Sequence, residues 1–143
     1  MHLFQLSEYS PFKILAVDDC RDDRYMFHRY IEQSNDFSYT ILKTSTGKEG
    51  LAMAREESPS CILLGYGLSD ITGLEVISKF STYPSANYTA IIILTDKGNE
   101  VVAVSALKDG TMDYLVKERL TAGALNRAIP NAVDKVNMRR EMQ

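Results

Sequence analysis

Short, densely apolar runs alternate along this chain with longer stretches of helical periodicity. The first run, Lys13-Ile-Leu-Ala-Val-Asp18, is apolar until it ends in carboxylates, the pattern of a buried strand. From Arg21 to Ser34, Met26/Tyr30 and Phe27/Ile31 stand four apart, which sets an apolar helix face. Asp22 and Asp23 fall in its first turn, where the positive end of a helix favours acids. Tyr39 to Thr44, rich in β-branched and aromatic residues, reads as a second strand. Thr46-Gly-Lys-Glu49 is a capping box opening a helix that Pro59 closes. Cys61 to Leu64 is apolar throughout, as expected of a strand covered on both faces. A second capping box, Thr72-Gly-Leu-Glu75, opens a helix to about Phe80. Ala90 to Thr95 reads as a fourth strand. Glu100 to Lys108 follows as a helix stopped by Asp109-Gly110. Asp113 to Val116 is a fifth strand, and Thr121 caps a last helix.

Strand and helix thus alternate five times. This predicts an α/β fold, a doubly wound five-stranded parallel sheet with helices on both faces and right-handed crossovers. Ligands of such sheets gather beyond the carboxyl ends of the strands. Asp18 and Asp19, Gly65, Thr95 and Lys117 all fall there. The expected boundaries are a leader at 1–11, the domain at 12–129, and a helical extension or linker at 130–143. Pro130 is expected to break or kink that last helix, since an interior proline costs about 3 kcal/mol.

Composition narrows the picture. The chain has 143 residues, 45% apolar and 24% charged, with a formal net charge of −3; one folded domain is the expectation. No basic patch suggests nucleic acid, and no run is long enough for a membrane span. The N-terminus lacks the basic and apolar blocks of a signal peptide, so a cytoplasmic location is expected. Cys20 and Cys61 lack metal-ligand spacing and are expected to be reduced thiols. His2 and His28 have no clustered partners. The acidic stretch Cys20-Arg-Asp-Asp23 has no glycine-rich cradle and disfavours a nucleotide or flavin.

Singly, the residues at the strand ends say little, because acidic loops and surface lysines are common. As a set they are specific. Through Ile14-Leu-Ala-Val-Asp-Asp19, Ile62-Leu-Leu-Gly-Tyr-Gly-Leu-Ser-Asp-Ile-Thr-Gly-Leu-Glu75, Ile91-Ile-Ile-Leu-Thr95 and Gly110-Thr-Met-Asp-Tyr-Leu-Val-Lys117, the chain resembles the receiver domain of two-component response regulators over roughly Phe12 to Ile129. The resemblance implies a flavodoxin-like (βα)5 fold with strand order 2-1-3-4-5. It implies an aspartate that takes a phosphoryl group from a partner's phosphohistidine. It further implies Mg²⁺ held by Asp18, Asp19 and the Gly67 carbonyl, a hydroxyl at Thr95, a cation at Lys117 and a switch aromatic at Tyr114. Such chemistry needs a hard cation and positive charge around the equatorial oxygens.

The acceptor position of that pattern is Gly65, which has no side chain to phosphorylate. With two carboxylates left, Mg²⁺ is expected to bind weakly or not at all. Read on their own, the residues leave open a simple pairing of Lys117 with Asp18 or Asp19 and no metal. Asp96 adds a carboxylate beside Thr95, and Glu118 stands where the family often has proline. Rescue by Tyr66, Ser69 or Asp70 is a further alternative. The expected function is a degenerate receiver in phosphorelay signalling that is not itself an enzyme and works by protein–protein contact. Expected partners are a histidine kinase or an output domain, with a homodimer through the fourth helix, fifth strand and fifth helix. The alternatives are a module of a larger sensor or hybrid histidine kinase, or a regulator phosphorylated at a non-standard residue. Gly65→Asp is expected to restore metal binding and phosphorylation without loss of fold.

Overall fold

A computed structural model describes residues 12–35, 37–99, 101 and 113–141. The leader at 1–11 lies outside the described residues, as does the helix predicted at 100–108 apart from residue 101. Five strands, β1 (Phe12–Val17), β2 (Tyr39–Thr44), β3 (Cys61–Gly65), β4 (Ala90–Thr95) and β5 (Asp113–Val116), form one sheet in the order β2-β1-β3-β4-β5. All four pairings are parallel. The fold is therefore the five-stranded α/β architecture expected from the alternation. Four described helices accompany it: α1 (Arg21–Glu32), α2 (Gly47–Glu57), α3 (Gly73–Phe80) and α4 (Ala122–Glu141).

Period-two alternation divides each central strand between two cores. Ile14 and Ala16 of β1, Cys61 and Leu63 of β3, and Ala90, Ile92 and Leu94 of β4 face one cluster. There they meet Phe27 and Ile31 of α1 and Leu125, Ile129, Ala132 and Val136 of α4. The intervening residues Leu15, Val17, Ile62, Leu64, Ile91 and Ile93 face a second cluster, completed by Leu51 and Ala54 of α2 and Val76, Ile77 and Phe80 of α3. Every residue of β3 and β4 is buried. The uniformly apolar run that marked them in the sequence follows from this double coverage.

The helix starts obey the local signals. Thr46 Oγ1 accepts from Glu49 N at 3.1 Å and Thr72 Oγ1 from Glu75 N at 3.1 Å. Thr121 Oγ1 accepts from Ala124 N at 3.0 Å. Each threonine satisfies a donor that the helix cannot. Two features differ from the sequence reading. A 3-10 turn at Pro84–Tyr88 precedes β4. And α4 runs through Pro130 without ending there. Ala132 and Val136, beyond the proline, are each only 2% exposed. Their burial on the sheet offsets the missing backbone hydrogen bond, since a fully buried valine alone contributes about 1.5–3 kcal/mol.

Candidate functional site

The carboxyl ends of β1, β3 and β4 and the residue after β5 meet at a cavity of about 150 Å³. Asp18, Asp19, Asp23, Gly65, Gly67, Thr95, Asp96 and Lys117 are among its lining residues. The sheet register explains the convergence: Val17 pairs with Leu64, Gly65 with Leu94, and Thr95 with Val116. All the strand-end residues expected at the site are thus brought together. Tyr114 is the exception. It is half-buried two pairs back from that edge, opposite Ile93, and packs on the α2/α3 side of the core.

Lys117 is the hub. Its Nζ lies 2.7 Å from Asp18 Oδ2 and 2.9 Å from Asp23 Oδ2. The contact with Asp23 is a hydrogen bond. The one with Asp18 is an ion pair that leaves the buried Oδ2 facing the ammonium. Asp18 Oδ1 accepts from Cys20 N at 3.0 Å, and the Asp18 carbonyl accepts from Arg24 of α1. Asp18 is 1% exposed. Burial pushes its carboxyl up, against the opposing pull of Lys117 and the Cys20 amide. Burial likewise depresses Lys117, but the carboxylates of Asp18 and Asp23 outweigh it and the net shift is upward. The lysine is therefore firmly cationic, and the cost of desolvation falls on Asp18.

Of the two pairings left open by the sequence, Lys117 takes Asp18, not Asp19. Asp19 is exposed and lines the cavity. In the sequence Asp23 is legible only as a first-turn acid of α1. Its distance of 94 residues from Lys117 leaves no local signal for the pair. The one legible hint is its place five residues after Asp18, about one helical turn beyond the strand end.

Gly65 has ordinary backbone geometry; among the described residues the only glycine at positive φ is Gly98. Space sets it apart. A Cβ at Gly65 would lie 2.7 Å from Asp18 Oδ2, 3.1 Å from Asp18 Cγ and 3.3 Å from the Val17 carbonyl oxygen. The Asp18 carboxylate fills the space beside the glycine, so any side chain at 65, Gly65→Asp included, requires it to shift.

The loop after β3 is fixed from another direction. Asp70 Oδ1 accepts from Gly47 N at 2.8 Å and Oδ2 from Lys48 N at 2.9 Å, so Asp70 caps α2 from outside that helix. These amides hold its carboxyl down at about 2. Both oxygens are thus turned to a structural task. Glu118 has a comparable role, its two oxygens accepting from Lys97 N at 3.0 and 3.1 Å. Thr95, 1% exposed, donates its hydroxyl to the Asp96 carbonyl at 3.3 Å. Cys61 lies in the core, where burial pushes its thiol to about 12.

A hard divalent cation wants several oxygen donors free to converge. Asp18, Asp19 and the Gly67 carbonyl border the cavity, but Asp18 is held by the ammonium of Lys117. No cluster of three acidic, histidine or cysteine side chains suited to a metal occurs among the described residues. The donor set does not fit a tightly bound Mg²⁺.

The family of response regulator receiver domains matches residues 14–129, and the chain belongs to it. The transcriptional regulatory protein SrrA of Staphylococcus aureus is 35% identical over 105 residues, which is 73% of this chain and 41% of that protein. The chain thus spans well under half the length of this curated relative. A receiver domain protein from Clostridium thermocellum superposes with a TM-score of 0.77 at 26% identity, covering 89% of this chain and 98% of that one. A CheY-like receiver domain protein from Methanospirillum hungatei gives a TM-score of 0.78 at 23% identity, covering 91% and 99%. No helix among the described residues is long and apolar enough to cross a membrane.

Proposed function

We propose that this receiver domain serves two-component signalling as a protein-binding module that accepts no phosphoryl group at position 65 and is not itself an enzyme. The observation that carries the reading is Gly65 at the cavity, with the Asp18 carboxylate beside it paired to Lys117 at 2.7 Å. A phosphoryl group arriving there would find no nucleophile at 65. It would face Asp18, Asp19, Asp23 and Asp96, and like charges repel it. Mg²⁺ binds weakly or not at all in this reading, because a cation must displace the ammonium to use Asp18. The partners are a histidine kinase or an output domain, met through protein surface alone, in a cytoplasmic setting without nucleic acid. Phosphorylation at Asp70 is disfavoured by its two amide hydrogen bonds to α2.

The test is intact-mass measurement after incubation with acetyl phosphate and Mg²⁺. No stoichiometric phosphoryl adduct is expected. An adduct, mapped to its residue by peptide mass, would overturn the reading.

A further inference from the structure

We infer that the Asp18 carboxylate is a built-in plug: it sits where a side chain at 65 would begin, holds Lys117 by charge, and keeps the cavity in one fixed state. Three observations meet in it. Gly65 is not required by its own backbone angles, so its lack of a Cβ must be explained by its surroundings. The nearest surroundings are Asp18 Oδ2 and Cγ, at 2.7 and 3.1 Å from the Cβ position, both inside ordinary contact distance. And the same Oδ2 lies 2.7 Å from Lys117 Nζ, which Asp23 also holds at 2.9 Å.

The plug cannot step aside easily. Its other oxygen is bound by the Cys20 amide, and its backbone carbonyl by Arg24. Both partners belong to the start of α1, so moving Asp18 means disturbing that helix start. The glycine and the aspartate thus form one unit: the first leaves the space and the second fills it. The consequence for signalling rests on the reading above, that position 65 takes no phosphoryl group. The ammonium is already answered by an internal anion, so the domain offers its partners one conformation whether or not a phosphodonor is present.

The experiment is a double-mutant cycle read by thermal melting, with no phosphodonor or metal added, so that its outcome is separate from the mass measurement. Gly65→Ala is expected to lower the Tm by roughly 5 °C, as overpacking of a buried site does. The same loss is expected in an Asp18→Asn background, which keeps the shape of the plug. In an Asp18→Ala background, where the atoms nearest the new Cβ are gone, the loss should shrink to about 1 °C, the non-additivity of coupled sites. Equal losses in all three backgrounds would overturn the inference. A second reading needs no Asp18 variant: in Gly65→Ala the Cys20 amide resonance should shift, because its acceptor has moved. An unshifted Cys20 amide in a folded Gly65→Ala would also overturn it.

Discussion

Gly65 and Asp70 show how differently single residues declare themselves. The place of Gly65 is legible in sequence, because an apolar run must end somewhere and function gathers at that end. The reason for glycine is not legible, since it depends on where Asp18 turns its carboxylate. Gly65→Asp is accordingly expected to cost about 1–3 kcal/mol of stability in the absence of divalent cations, checked by urea unfolding in EDTA. Asp70 looks like any loop acid, yet it caps α2 through Gly47 and Lys48. Its pKa falls from 3.8 to about 2 on folding. A carboxyl depressed in the folded state contributes stability above its unfolded value and loses it as pH falls. The loss here should run from about pH 4 down to pH 2. Asp70→Asn, which keeps one acceptor oxygen, should melt below the native chain at pH 7 and converge with it near pH 2. A constant gap across that range would refute the cap.

At the level of elements, strands and helix starts were legible because their causes are local. A buried parallel strand must be apolar on both faces, and a helix start needs a side-chain acceptor. Thr46, Thr72 and Thr121 supply those acceptors. Thr72→Ala should cost about 1 kcal/mol, measured by denaturant midpoint. The far half of α4 was less legible, because Pro130 argues locally against the helix while Ala132 and Val136 argue for it only once the sheet is in place. Val136→Ala should cost about 1–3 kcal/mol by the same unfolding measurement, through lost burial and a residual cavity. A near-zero effect would mean that residues beyond the proline add nothing to the core. The Pro84–Tyr88 turn had no periodic signal, being only five residues long.

For the whole molecule, the two cores hang on one sheet, and the loops at its carboxyl edge are tied to one another by side chains. Adjacent residues Lys117 and Glu118 both take part in this tying. The lysine reaches Asp18 and Asp23 at the β1–α1 junction, and the glutamate takes the Lys97 amide in the loop after β4. These ties cross more than 20 residues of chain in one case and more than 90 in the other, so none could be read from local pattern. Their joint effect has a signature in time. Lys97 is an exposed loop residue whose amide would ordinarily exchange with solvent at once. Held by a carboxylate, that proton can leave only when the Glu118 clasp opens. Hydrogen exchange at Lys97 should therefore be slowed, and Glu118→Ala should return it to the rate of an open loop. The amide thus acts as a clock for how often this edge of the domain comes apart.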